Sequence, residues 1–148
     1  MPRIRLKELE NYRFSYEKII NIANINLGGH VGSVEMADII QEARYRIMKS
    51  IGMNDLNLGD NSTGSIMADM VINFKGTITL DDIISVEMDF SEFDEKEYRI
   101  FYRILKDDRV CALVETGFVP FSYKENRSVN VPSVFIDRLN SITGKHKC

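Results

Sequence analysis

The sequence predicts an α+β domain in which a curved antiparallel sheet packs around one long helix. Three observations carry this. Met36, Ile39, Ile40, Ala43, Ile47 and Ile51 fall on one face of a 3.6-residue period. After Gly59 the texture changes to segments rich in β-branched and aromatic residues. Short turns separate those segments, and consecutive strands joined by short turns pair antiparallel.

The elements follow in order. Tyr12 to Ile22, "YRFSYEKIINI", alternates partly and reads as a first strand. A glycine-rich turn follows. The helix then runs from Ser33 to Ile51, with Ser33 as the expected N-cap and Gly52 as a left-handed stop. Glu35 and Asp38 stand near the positive end of its dipole, Arg46 and Lys49 near the negative end. Four strands are expected from "TGSIMADMVINFKG", "DIISVEMDFSEFD", "EYRIFYRILKDD" and "VCALVETGFVPFSY". In the second, Ile84, Val86, Met88 and Phe90 alternate with Ser85, Glu87 and Asp89, the period of a half-buried strand. Lys106 to Val110 reads as a hairpin turn. Pro132 opens a short terminal helix with the proline in its first turn. A polar tail, "GKHKC", is expected to fray.

Length and composition fit one domain over residues 1–148, with its core at about 10–140. Apolar residues make up 44% and charged residues 28%, a soluble balance. A net charge of −3 argues against a general nucleic-acid binder. No apolar run has the roughly 18 residues of a membrane span, and no signal peptide is visible. Cys111 lies in an apolar run, where a buried reduced thiol is the default, so a cytoplasmic protein without disulfides is expected. His146 and Cys148 make a poor metal pair without a third ligand, and no metal is expected.

The segment from Asn24 to Arg44, "NINLGGHVGSVEMADIIQEAR", is the candidate site. Asn24, Asn26, Gly29, His30 and Val31 precede Gly32 and Ser33; Glu42, Ala43 and Arg44 follow, and Gly52 closes the helix. This pattern, in this element order, resembles the hotdog-fold acyl-CoA thioesterases of the 4-hydroxybenzoyl-CoA thioesterase and YbgC-like type. Members of that family commonly carry acidic residues where Asn24 and Asn26 stand, and some have asparagine at the second of the two positions. An amide donates to a carbonyl or holds a water but is not a general base. The resemblance implies an acyl-CoA or acyl-carrier-protein thioesterase acting at the helix N-terminus. The paired asparagines keep a second reading open, a hotdog protein that binds acyl thioesters without hydrolysing them. The resemblance also implies a homodimer or homotetramer, and no cofactor beyond coenzyme A as part of the substrate.

Within it, Asn26, His30 and Glu42 are the candidate catalytic residues, and Gly29, Val31, Gly32 and Ser33 the candidate substrate-binding ones. Helix N-terminal amides stabilise a developing oxyanion without titrating. Without the resemblance, the same residues read as a tight turn and a helix cap. Asn26 is assigned to orient the carbonyl. His30 either orients water or fixes the start of the helix. Glu42 is either a base on water with a pKa raised by partial burial, or an i,i+4 ion-pair partner of Arg46. Arg44 reads either as a helix anchor or as a contact for a phosphate, with a structural salt bridge the default. Lys75, Lys124 and Arg127 are surface cations available to the phosphates of coenzyme A.

Overall fold

The computed structural model describes residues 2–148. Strand β1 covers Phe14–Ile19 and leads through a 3-10 turn, Ile22–Asn24, to helix α1, Ser33–Ser50. Strands β2 (Gly64–Phe74), β3 (Ile83–Ser91), β4 (Tyr98–Lys106) and β5 (Arg109–Ser122) follow. Strand β6, Arg127–Ser128, helix α2, Ser133–Asn140, and strand β7, His146–Lys147, complete the chain. The sheet order is β2-β5-β4-β3-β1-β7, with β6 beside β5. All pairings are antiparallel except β1 with β7.

The helical stripe is buried as its period requires. Met36, Ile39, Ile40, Ala43 and Ile47 are fully covered and share one core with Ile84, Val86 and Met88 of β3. Burying five such side chains contributes on the order of 1.5–3 kcal/mol each for the larger ones, enough to fix the face α1 presents. The helix starts one residue earlier than an N-cap at Ser33 implies. Gly32 is the N-cap and Ser33 the first helical residue. Gly32 offers no side chain, so only half of a capping box forms: Glu35 Oε2 accepts from the Gly32 amide at 3.2 Å. Gly52 takes φ +77°, the left-handed stop expected of it.

The β4–β5 hairpin turns on Asp107 and Asp108, both at positive φ (50° and 60°), the geometry that matches strand twist. Pro132 sits just outside α2 as its N-cap rather than in the first turn. The expected first strand is shorter, because Asn21 and Asn24 cap each other across the 3-10 turn and divert the backbone.

The C-terminal tail is not frayed. His146 pairs with Phe14 in β7 and packs edge-on against its ring, with Nε2 3.0 Å from Ser50 Oγ. This edge is fastened by Arg13. Its guanidinium donates to Asp89 (2.7 Å) and to the carbonyls of Leu139 (2.6 Å) and Ile142 (3.1 Å), joining β1, β3 and the end of α2. Asp89 is buried and, among the side chains of the described residues, accepts from Arg13 alone, so removing it strands a largely buried cation. Asp89→Ala is expected to cost about 3–5 kcal/mol in urea unfolding, with an unchanged m-value. A midpoint equal to wild type would show that the clamp contributes nothing.

Candidate functional site

The turn before α1 is built by its own amides. Asn26 N–H donates to the His30 carbonyl at 2.9 Å, and Gly29 N–H to the Asn26 carbonyl at 3.0 Å. Gly29 adopts φ +81°, which favours glycine. Val31, buried, docks the turn onto the loop between β2 and β3 through its amide and the Ile78 carbonyl at 2.9 Å. His30 bridges to Thr79 in the same loop.

Asn26 and His30 are brought together. Asn26 Oδ1 accepts from Gly28 N–H at 2.9 Å and stands 3.4 Å from His30 Nδ1. With the Nδ1 hydrogen toward that oxygen, the Nε2 lone pair is free. The Asn26 Nδ2 makes no hydrogen bond among the described residues. It lies against the start of the helix, only 2.6 Å from where a Cβ on Gly32 would sit. Asn26, His30, Val31 and Gly32 line a cavity of about 230 Å³ together with Phe74 and Thr77.

The four candidate substrate-binding residues differ in what they offer. The amides of Gly29 and Val31 are spent on the turn and on Ile78, and that of Gly32 on Glu35. Ser33 keeps both its first-turn amide and its hydroxyl without a protein partner among the described residues, because the first turn of a helix leaves its N–H groups unpaired. The Asn24 side chain is occupied within the 3-10 turn, where it accepts from the amide of the N-cap Asn21 at 2.9 Å.

Glu42 is not at this turn. It stands nine residues beyond Ser33, about 14 Å along the helix axis, and borders a separate depression with Asp38, Gln41, Tyr45 and Asp55. Lys18 Nζ donates to its Oε2 at 2.7 Å and Tyr16 Oη to its Oε1 at 3.0 Å. The Lys18 bond, joined by that from Tyr16, holds the carboxyl below the usual carboxylate range. The expected upward shift is therefore reversed: β1 supplies a cation that outweighs partial burial. The ion-pair partner is Lys18 rather than Arg46, a cross-element contact that helical spacing does not reveal.

The carboxylate that does border the turn is Glu35, whose signal in the sequence was its place three residues after Gly32. Arg44 is 4% exposed and anchors α1. Its Nη2 pairs with Asp55 at 2.9 Å and its guanidinium stacks over Phe118 at 4.9 Å. Among the described residues no cluster of His, Cys, Asp and Glu is arranged to hold a metal ion.

A family model described as the Thioesterase-like superfamily matches residues 20–139. The chain belongs to that superfamily. Its fold is that of the hotdog thioesterases. It superposes on 1,4-dihydroxy-2-naphthoyl-CoA thioesterase Slr0204 from Synechocystis at TM-score 0.77 and 16% identity, covering 87% of this chain and 96% of that one. A hypothetical protein, AQ1494, from Aquifex aeolicus gives TM-score 0.77 at 18% identity, covering 85% and 98%. The hypothetical protein SAV2348 from Staphylococcus aureus, solved in complex with CoA, gives 0.76 at 14% identity, covering 93% and 87%. No curated protein matches the sequence. No helix among the described residues is long and apolar enough to cross a membrane.

The Glu42 bonds give a signed pH effect. A carboxyl held below its ordinary value stabilises the fold above its unfolded pKa and loses that contribution as pH falls through its folded pKa. Wild type is therefore expected to exceed Glu42→Gln in stability at neutral pH. The gap should close on acidification below the ordinary glutamate value of 4.5. Thermal unfolding of both proteins across that range checks it, and a gap independent of pH would refute the ion pair.

Proposed function

We propose that the chain hydrolyses an acyl-CoA or acyl-carrier-protein thioester at the N-terminus of α1. In this reading residues 1–148 form a single domain whose sheet curves around α1 as its central helix. The observation that carries it is the convergence of a free Asn26 Nδ2, the His30 ring and the helix start on one cavity.

The thioester carbonyl oxygen accepts from Asn26 Nδ2 and from the unpaired first-turn amide of Ser33. Both donors strengthen as negative charge develops on that oxygen, which is where stabilisation accelerates the reaction. His30 Nε2 takes the proton from the attacking water. A C–O bond forms, the C–S bond breaks, and the proton returns to the departing thiolate. Val31 and Gly32 shape the wall, Gly29 sets the turn behind them, and the absence of a Cβ at Gly32 leaves room for Asn26. Glu42 enters this scheme only through a second copy of the chain, since in one copy it lies along the helix in another depression. A homodimer or homotetramer belongs to the proposal for the same reason. Ile22, Leu27 and Val34, exposed beside the turn, are apolar groups that a second subunit would cover.

Thiol release across an acyl-CoA panel tests the reading. Turnover by wild type is expected, with kcat reduced about 10²-fold or more in His30→Ala and in Asn26→Ala. Binding of acyl-CoA without turnover on any chain length would favour the second reading, acyl-thioester binding without hydrolysis. The amides at Asn24 and Asn26, where the family commonly has acids, are what support that second reading; it gains further support if Asn26→Asp then acquires activity. Light scattering is expected to return a dimer or tetramer, and a strict monomer would remove Glu42 from the mechanism.

A further inference from the structure

The amino-terminal arm, residues 2–13, precedes the segment that matches the superfamily. It is nevertheless held against the sheet at separate points. Asn73 of β2, 8% exposed, grips it twice: Oδ1 accepts from the Leu6 amide at 2.7 Å, and Nδ2 donates to the Ile4 carbonyl at 3.0 Å. Further along, Glu8 pairs with Arg103 at 3.1 Å and the Leu9 amide donates to Tyr12 Oη at 3.0 Å. A buried asparagine satisfied at both ends by one backbone segment fixes where that segment lies.

This grip delivers two cations to a third. Arg3 and Arg5 flank the pinned Ile4 and line a depression of about 370 Å³ with Lys75, at the end of β2. Phe74, 39% exposed, is a wall of that depression and also of the cavity that holds Asn26 and His30. None of the three cations has a carboxylate partner among the described residues. The neighbouring cations differ. Lys106 is neutralised by Asp82 at 2.7 Å. Arg109 follows the acidic turn of Asp107 and Asp108. In a chain of net charge −3, three uncompensated cations sharing one depression are a local reversal of sign.

We propose that Arg3, Arg5 and Lys75 bind the phosphates of the nucleotide end of coenzyme A, with Phe74 separating them from the thioester site. The assignment rests on the thioester reading above for its choice of ligand. Several phosphates match several cations, and guanidinium groups suit phosphate because their planar N–H forks bind two oxygens at once. The arm is thereby part of the substrate site rather than a loose leader, and Asn73 is a positioning residue for it.

The test separates the nucleotide from the thioester. Calorimetry with 3′-phospho-ADP, which has no thioester, is expected to show binding by wild type that weakens steeply with salt. Binding should weaken at least about tenfold in the R3Q/R5Q/K75Q variant. Asn73→Ala, which frees the arm without removing a cation, should weaken it in the same direction. In hydrolysis assays the triple variant should raise KM for acyl-CoA with kcat retained, and should match wild type on acyl-pantetheine, which lacks the nucleotide. Failure of wild type to bind 3′-phospho-ADP, or equal binding by the triple variant, overturns the assignment even if thioesters are cleaved. Probe binding that depends on the three cations upholds it even if no thioester is cleaved, in which case the hydrolytic reading alone falls.

Discussion

The burial of one apolar stripe of α1 governs where everything else can stand. Met36, Ile39, Ile40, Ala43 and Ile47 have no exposed surface. A rotation of the helix by even a third of a turn would expose several of them and bury charge. That constraint sets the direction of the helix and hence where its unpaired amides point. It also sets the flank that carries Glu42, which is why Lys18 and Tyr16 of β1 can reach that carboxylate. Val31 then fixes the approach to the helix by bonding to Ile78.

Seen from this frame, the two asparagines of "NIN" are different in kind. Asn24 is a piece of local scaffolding, its side chain accepting from the Asn21 amide. Asn26 divides its labour: its oxygen ties the turn through Gly28, while its nitrogen is left over beside Gly32. An aspartate there could tie the turn equally well but would present a second acceptor where Asn26 presents a donor. The substitution therefore changes the sign of what a ligand meets, from a site that takes protons to one that gives a hydrogen bond.

Periodicity made the helix and strands β2 to β5 legible, because both report which face is buried. The hairpin at Asp107 and Asp108 was legible for the same local reason. What escaped were contacts between distant residues. Nothing in the spacing of Glu42 and Arg46 announces Lys18, and nothing in "GKHKC" announces a strand beside Phe14. The turn from Asn26 to Ser33 stood out through its glycines and the family pattern, but which of its amides remain free depended on Ile78 and Glu35. The arm was the least legible part. Its place is set by Asn73, a polar residue in a strand whose partner is more than sixty positions away.

Strand β7 has a consequence for how the chain reaches this state. Lys145 bonds to the Tyr12 carbonyl across a separation of 133 residues, and His146 N–H donates to Arg13. By contrast, β4 and β5 meet across a two-residue turn. Loop closure over so long a span carries a large entropic cost that local hairpins do not bear. The Phe14–Ser15 end of the outer edge of β1 is therefore expected to remain open until the rest of the sheet has formed. During that interval it is an unpaired strand edge, and the final four residues act as its latch.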